Sequence, residues 1–302
     1  MTETVISVEG LRKSYDSFEA VRGIDLEVAA GEIFAFLGPN GAGKTTTVEI
    51  LEGYRRRDAG QVRVLGVDPE HAGRDWRERV GMVLQTLNPD PYLTVAEALT
   101  LFAGYYRSAR DVGEVMDLIG LAGRADVRAR DLSGGQQRRL DVGMALVGDP
   151  ELLFLDEPTT GFDPSARRQA WEVIAGLRDL GKTVFLTTHY MDEAQRLADR
   201  VAIIAGGEIV AQGPPEELGD REHQPAQVTF RLPGGVGPGE VPAGAEARAD
   251  GLLALETRTP TEDLNRLTAW ALDRGVELEG LEVRRPSLED VYLRLTGEEP
   301  RL

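Results

Sequence analysis

The segment that most constrains the fold of this 302-residue chain is a glycine-rich loop placed between an apolar run and a helical pattern. Residues 38–45 read Gly-Pro-Asn-Gly-Ala-Gly-Lys-Thr, which has the spacing of a phosphate loop, G-x-x-x-x-G-K-T. Ile33–Leu37 before the loop is short and wholly apolar, as in a buried strand, and Thr45–Leu51 after it favours a helix. This order predicts an α/β core that binds a nucleoside triphosphate.

The phosphate loop also predicts how the nucleotide is held. In such loops consecutive backbone N–H groups turn inward, and the positive end of the following helix adds to their attraction for phosphate. Lys44 is therefore expected between the β- and γ-phosphates of ATP, and the Thr45 hydroxyl is expected to ligate Mg²⁺. The residues expected to bind the nucleotide here are Gly38, Pro39, Asn40, Gly41, Ala42, Gly43, Lys44, Thr45 and Thr46.

Lysine is rare in this chain, which makes its presence in the loop informative. Of the 34 basic residues 31 are arginine, and the three lysines are Lys13, Lys44 and Lys182. A chain with this bias still places lysine in the phosphate loop. The site therefore needs a compact ammonium group, which a forked guanidinium replaces poorly.

An apolar run that ends in two acids predicts a second part of the site. Leu152–Leu155 has the pattern of a buried parallel strand, and Asp156 and Glu157 follow it. A carboxylate at the end of such a strand is where Mg²⁺ needs a second anchor, so we assign Asp156 to the metal. Glu157 is then expected to be the general base that polarises the attacking water. The alternative is a strand followed by a solvated acidic turn.

A second glycine-rich motif, Leu132-Ser133-Gly134-Gly135-Gln136, precedes a helical pattern. The free N–H groups at the start of that helix suit an anion. The alternative is that Ser133 and Gln136 form only a capping box. Both interpretations can hold, because a cap and a phosphate contact use the same helix end.

Together these motifs resemble the nucleotide-binding subunits of ATP-binding cassette (ABC) transporters, over about residues 3–220. Leu132–Gln136 is similar to the signature motif of that family. The resemblance implies a P-loop NTPase core of the ABC ATPase type that works as a head-to-tail homodimer with two shared ATP sites. In each shared site one copy holds the triphosphate, and the other copy covers the γ-phosphate with Ser133, Gly134, Gly135 and Gln136.

The resemblance also assigns roles to single residues. Tyr15 resembles the aromatic residue that stacks on adenine, and His189 resembles the switch histidine that contacts the γ-phosphate. Gln85 resembles the glutamine that reaches Mg²⁺ and water beside the transporter contact. Gly161–Asp163 is similar to the loop that joins the two half-sites, although Phe162 stands where the family usually has leucine. The implied catalytic residues are Lys44, Gln85, Glu157 and His189, and the implied metal ligands are Thr45, Gln85 and Asp156.

Two segments resemble one branch of this family. Thr187–Ala194 is similar to the histidine region of ATPases that power drug, antibiotic and polysaccharide exporters, and Pro286–Gly297 to the end of the accessory domain in daunorubicin-resistance-type ATPases. The resemblance implies export of a drug, antibiotic or other hydrophobic or polymeric cargo through a separate transmembrane permease, with this chain on the cytoplasmic face. The alternatives are an importer ATPase, a soluble cassette ATPase acting on ribosomes or DNA, and a regulatory subunit without hydrolysis.

Composition narrows the possible partners. The formal net charge is −17, which argues against nonspecific binding to nucleic acid or to an anionic membrane surface. There is no cysteine, and no signal peptide is visible at the start of the chain. The longest apolar runs fall far below the roughly 18 residues of a membrane span. We therefore expect no direct membrane insertion, and a membrane role that goes through a partner.

The organisation of the chain follows from changes in pattern. We expect a nucleotide-binding domain at residues 1–220, with a helical subdomain at about 89–147 that begins at the capping box of Thr94 and Glu97. A boundary is expected near Gly213–Gln224, where prolines and charges gather. Residues 225–302 are predicted to form a small C-terminal α+β accessory domain.

Overall fold

The computed structural model describes residues 3–83, 89–218, 225–233, 237–242, 244–248, 251–284 and 288–296. The chain separates into two compact units, Met1–Pro215 and Glu216–Leu302. The strands of the first unit are β1 (Thr4–Tyr15), β2 (Phe18–Ala29), β3 (Ile33–Leu37), β4 (Ala59–Val64), β5 (Val80–Val83), β6 (Leu152–Asp156), β7 (Thr183–Thr188), β8 (Arg200–Ala205) and β9 (Glu208–Gly213). Its helices are α1 (Lys44–Leu51), α2 (Arg74–Arg77), α3 (Val95–Ala103), α4 (Val112–Leu118), α5 (Gly134–Leu146), α6 (Pro164–Asp179) and α7 (Met191–Leu197).

A six-stranded sheet carries the site, in the order β5-β6-β7-β3-β8-β9. Its first five strands are parallel, and β9 pairs antiparallel with β8 at the edge. Every residue of β3 and β7 is buried, which explains why their sequences are continuous apolar or β-branched runs. Because the carboxyl ends of parallel strands meet at one edge, the segments that follow β3, β6 and β7 converge there.

A separate antiparallel sheet, β2-β1-β4, belongs to the same unit. The sequence pattern predicts only short strands at Val5–Val8 and Ile24–Val28, whereas β1 and β2 are each 12 residues long. The difference arises because the register shifts between Val8 and Leu11, where Gly10 has φ +58°. Such a bulge breaks the alternation of apolar and polar residues without ending the strand.

The helical segment is held by caps and by its own apolar cluster. The Thr94 hydroxyl accepts from the Glu97 N–H at 3.2 Å, and the Thr94 N–H donates to the Glu97 carboxylate at 2.9 Å, which completes the predicted capping box. The helical periodicity of the sequence continues to Tyr106 after Thr94 and runs from Val112 to Ala122, but α3 ends at Ala103 and α4 ends at Leu118. Gly104 and Gly120 follow these helix ends, and Gly120 has φ +65°. The cluster joins α3, α4 and α5 through Leu99, Val115, Ile119, Leu140 and Met144.

The second unit is a small α+β module. Its strands are β10 (Ala226–Arg231), β11 (Glu246–Ala247), β12 (Leu253–Thr257) and β13 (Glu279–Arg284), and its helices are α8 (Pro260–Arg274) and α9 (Leu288–Thr296). The sheet is antiparallel in the order β11-β12-β10-β13. Val228 and Phe230 of β10 pack with Leu255 of β12 and Leu267 of α8. Across the described part of both units, no helix is long and apolar enough to cross a bilayer.

Candidate active site

The phosphate loop connects β3 to α1 and holds a buried ammonium group. Lys44 is 7% exposed, and its Nζ donates to the carbonyl oxygens of Gly38 at 2.6 Å and Pro39 at 3.1 Å. Burial lowers the pKa of Lys44, whereas the nearby carboxylates of Glu157 and Asp156 raise it. The loop therefore presents a fixed positive charge beside two acids, and the charge of a triphosphate would stabilise it further.

Two glycines of this loop lie where no side chain fits. Gly43 has φ +108°, and a Cβ there would lie 2.4 Å from the carbonyl oxygen of Ala20. A Cβ on Gly38 would lie 2.4 Å from the carbonyl oxygen of Ile204. The loop thus packs directly on the backbone of β2 and β8, which places its N–H groups at the carboxyl edge of the sheet.

Oxygen donors for a metal ion lie beside the loop. Asp156 ends β6, and its Oδ1 accepts from the Thr187 hydroxyl at 2.5 Å, because Thr187 is its neighbour in the parallel register of β7. Thr45 lies in the first turn of α1 and is exposed. Carboxylate and hydroxyl oxygens fit Mg²⁺, which usually takes one or two protein ligands and completes its shell with phosphate and water. Gln85, the third predicted ligand, lies outside the described residues.

The two proposed hydrolytic residues lie next to each other. Glu157 Oε1 is 3.3 Å from Nδ1 of His189, and Glu157 Oε2 accepts from the Thr160 hydroxyl at 3.1 Å. The Glu157 N–H donates to the carbonyl and hydroxyl oxygens of Thr187, at 3.1 Å each. Glu157 has φ +45°, a left-handed conformation that costs a non-glycine residue about 1 kcal/mol. After this turn the Glu157 carboxyl group contacts Thr160 and His189, whereas the Asp156 carboxyl group contacts Thr187.

The signature residues form a capped helix end in the single chain. The Ser133 hydroxyl accepts from the Gln136 N–H at 3.4 Å, and the Ser133 N–H donates to the Gln136 side-chain oxygen at 3.0 Å. The capping box is therefore present, and Gly134 is exposed at the first helical position. Among the described residues, no hydrogen bond or ion pair joins Ser133–Gln136 to the phosphate loop, which is compatible with the expectation that a second copy supplies this segment.

Tyr15 ends β1 close to the helix that follows the phosphate loop. Its hydroxyl lies 3.4 Å from the Thr46 hydroxyl, and the residue is 37% exposed. The ring is thus available for a base whose phosphates lie in the loop. Tyr15 thus contacts α1 beside the loop, while Asp156, Glu157 and His189 lie at the ends of β6 and β7.

Sequence reasoning missed a half-buried arginine that contacts the end of β6. Arg138 of α5 donates from Nη2 to the backbone oxygen of Asp156 at 2.7 Å, and its Nη1 lies 3.7 Å from Asp141. Burial raises the pKa of Asp141 to about 7, although Arg138 opposes the shift. The available signal was that Asp141 is charged at a position where α5 is otherwise apolar. Only the structure shows that Arg138 is the partner of Asp141 and that Arg138 contacts the end of β6.

Glu52 is a second buried acid that the sequence pattern does not explain. It caps the C-terminal end of α1 and is 5% exposed. Burial, followed by the charges of Asp156 and Glu49, raises its pKa from 4.5 to about 8. The negative end of the helix dipole acts in the same direction. The carboxyl group is therefore protonated in the folded chain near neutral pH.

We expect Glu52 to make the chain less stable as pH rises from about 4.5 to about 8. In this window the folded state keeps a proton that the unfolded state has lost, so the free energy of unfolding falls with pH, by at most about 1.4 kcal/mol per pH unit. Glu52→Gln should flatten this slope in denaturant titrations between pH 5 and pH 8. Glu9→Gln, on an exposed part of β1, should leave it unchanged. Equal slopes for the wild type and Glu52→Gln would show that Glu52 does not bind this proton.

The fold and the site together define a phosphate-loop ATPase, and comparisons with known proteins agree. The sequence profile described as ABC transporter matches residues 21–160. A second profile, described as the C-terminal domain of an ABC transporter domain-containing protein, matches residues 226–287. The profiles match parts of both compact units.

Relatives extend the similarity over the whole chain. A daunorubicin resistance ATP-binding protein of Streptomyces coeruleorubidus is 37% identical, covering 100% of this chain and 99% of that protein. A Nod factor export ATP-binding protein of Rhizobium sp. (strain N33) is 40% identical, covering 99% of both. A solved dimeric ATP-binding cassette in a post-hydrolysis state with ADP and phosphate is 25% identical with a TM-score of 0.61, covering 69% of this chain and 98% of that one.

This chain therefore belongs to the ABC transporter family, as an ATP-binding subunit that hydrolyses ATP. The family and the fold class predicted from the motifs are confirmed. The roles of individual site residues stay predictions, since they depend on the geometry described above and on the resemblance of the motifs.

Proposed function

We propose that this chain is the ATPase subunit of an exporter, acting as a homodimer on the cytoplasmic face of a separate transmembrane permease. The proposal is supported mainly by how much of the chain resembles known exporter subunits. Two relatives, one named for daunorubicin resistance and one for Nod factor export, match it from end to end. That range includes residues 226–287, which lie beyond the nucleotide-binding cassette. The cargo class is a drug, antibiotic or other hydrophobic or polymeric molecule.

The site supports a mechanism in which this chain positions and activates ATP. The loop N–H groups and Lys44 hold the triphosphate, and Tyr15 stacks on adenine. Mg²⁺, held by Thr45, Gln85 and Asp156, would neutralise charge on the β- and γ-phosphates. Glu157 accepts the proton of the attacking water. Its contact with His189 at 3.3 Å supports a role for the histidine beside the γ-phosphate.

A second copy completes each site in this proposal. Its Ser133–Gln136 segment presents the N-terminal end of α5 to the γ-phosphate, where helix N–H groups favour an anion. Closing and reopening of the dimer would then drive the permease. The net charge of −17 supports a protein partner over nucleic acid.

Transport is tested with the natural partner. Full-length tagged chain, purified from detergent-solubilised membranes of its own cells, should bring a multi-span membrane protein with it. The two proteins reconstituted in inverted vesicles should accumulate daunorubicin when ATP is added outside. Glu157→Gln should bind the same membrane protein without driving accumulation.

The rival functions give different results in the same preparation. Co-purification of a solute-binding protein, with transport in the opposite direction, would indicate an importer. Recovery with ribosomes and no membrane protein would indicate a soluble cassette ATPase. Absence of phosphate release would indicate a regulatory subunit. Each of these results contradicts the proposed exporter role.

A further inference from the structure

The ring of Tyr15 lies among charged groups that are themselves held in place. The guanidinium carbon of Arg55 lies 5.2 Å from the ring centroid, and Nζ of Lys13 lies 5.8 Å from it. Both distances are within the range of attraction between a cation and an aromatic face. The Tyr15 hydroxyl meets Thr46 at 3.4 Å, so the ring is contacted from β1, from α1 and from the segment after α1.

Arg55 is fixed at both its backbone and its side chain. Its N–H donates to the carbonyl oxygen of Glu49 at 3.0 Å, and its Nε donates to the Glu49 carboxylate at 2.5 Å. The same hydrogen bond is the main reason why the pKa of Arg55 is raised above its ordinary value. Glu49 belongs to α1, which begins at the phosphate loop. The guanidinium over the ring is therefore tied to the helix that follows the loop.

We propose that Arg55, held by Glu49, is a positioning residue for the nucleobase, because it fixes the ring of Tyr15 in the orientation on which adenine stacks. The inference rests on the proposed stacking role of Tyr15. A tyrosine that is 37% exposed at a strand end would otherwise lose side-chain freedom when a base binds, and that loss weakens binding. Arg55 orders the ring before the nucleotide arrives. Its planar guanidinium suits this contact better than an ammonium group.

Lys13 is the weaker candidate for the same role. Its Nζ is farther from the ring, and it is bonded to Asp58 at 2.6 Å, while the Asp58 carboxylate also accepts from the Ser14 N–H at 2.7 Å. This pair stabilises the end of β1 itself. A change at Lys13 would therefore alter the strand as well as the ring, whereas Arg55 contacts Tyr15 from a separate segment.

The test compares a ligand that has a base with one that does not. Binding of Mg²⁺ with a non-hydrolysable ATP analogue, and of Mg²⁺ with inorganic tripolyphosphate, is measured by calorimetry on the full chain. Arg55→Ala should weaken binding of the analogue about two- to fivefold and leave binding of tripolyphosphate unchanged. In hydrolysis assays KM should rise by the same factor at constant kcat. Arg55→Lys should restore part of the affinity.

Two further variants make the result specific. Arg56→Ala is the matched control, since this neighbouring side chain is 84% exposed and forms an ion pair with Glu70 at 3.4 Å; both ligands should bind as in the wild type. Tyr15→Ala should weaken the analogue more than Arg55→Ala does, because stacking on a base contributes more than a single exposed cation. In the double variant, loss of Arg55 should add nothing to loss of Tyr15.

The outcomes separate this inference from the function on which it rests. If Tyr15→Ala leaves the affinity for both ligands unchanged, the stacking role itself is wrong, and the role of Arg55 fails with it. Should Tyr15→Ala weaken the analogue alone while Arg55→Ala has no effect, only the role of Arg55 is overturned. Equal weakening of both ligands by Arg55→Ala would place the arginine at the phosphates and also overturn the inference.

Discussion

Replacing Glu157 by glutamine is expected to lower ATP hydrolysis by about 10²- to 10⁴-fold while ATP binding is kept, because a positioned general base contributes about that much. The substitution removes the charge and the proton acceptor but keeps the shape. The amide oxygen can keep one of the two contacts that the carboxyl group makes with Thr160 and His189, and the amide NH2 can donate at the other position. With ATP bound and not hydrolysed, the chain should accumulate as a dimer.

Phosphate release and size-exclusion chromatography with Mg²⁺ and ATP measure the two parts of this result. Glu151→Gln is the matched control, since Glu151 stands immediately before β6 as Glu157 stands immediately after it. Its carboxylate is exposed and pairs with Arg79 at 2.6 Å, so hydrolysis should continue at the wild-type rate. Hydrolysis by Glu157→Gln at the wild-type rate would remove Glu157 from the role of general base.

The sequence predicts those parts of this site that lie in a single segment with a recognisable local pattern. The phosphate loop follows β3, and β3 spans Ile33–Leu37 as predicted, because a strand buried on both faces reads as an unbroken apolar run. Asp156 ends β6, whose first four residues form another unbroken apolar run, and Glu157 follows it. The convergence of these segments follows from the rule that parallel strands end at the same edge.

The parts that it does not predict depend on register and on packing between distant segments. Thr187 ends no motif that points to Asp156 or Glu157, and it reaches them only because β6 and β7 pair in one register. Arg138 lies 18 residues before the carbonyl group that it bonds. The short helix α7 has no cap signal, since Tyr190 at its start makes no side-chain cap. No local pattern predicts these contacts.

The second large effect is expected at Lys44, where arginine should not replace lysine. The Nζ of Lys44 lies between two loop carbonyl oxygens in a buried space, at 2.6 and 3.1 Å, and a guanidinium is larger and spreads its charge. Lys44→Arg should therefore abolish hydrolysis and weaken ATP binding strongly. Lys182→Arg is the control, because Lys182 is about as buried as Lys44 but lies at the other end of the sheet. Lys182 forms an ion pair with Asp149, and an arginine can also form this pair, so hydrolysis should continue.

A substitution at Gly134 should affect the dimer without affecting the folded single chain. A Cβ at Gly134 would meet nothing within 4 Å in the single chain, whereas one at Gly135 would lie 2.9 Å from Cβ of Ala166. Aspartate at the start of α5 also suits the positive end of that helix. Gly134→Asp should therefore fold and bind ATP. In the proposed dimer its carboxylate would face the γ-phosphate of the partner, so hydrolysis should be lost.

Mixing the two inactive variants should restore activity. In a mixed dimer, the Gly134→Asp copy supplies an intact phosphate loop and the Lys44→Arg copy supplies an intact signature segment, so one of the two sites is complete. Lys44→Arg mixed with Glu157→Gln should stay inactive, because both changes affect the half that holds the triphosphate. Full hydrolysis by Gly134→Asp alone would show that the signature end of α5 does not face the γ-phosphate. Mixed dimers that form without any recovery would show that the two copies do not share their ATP sites.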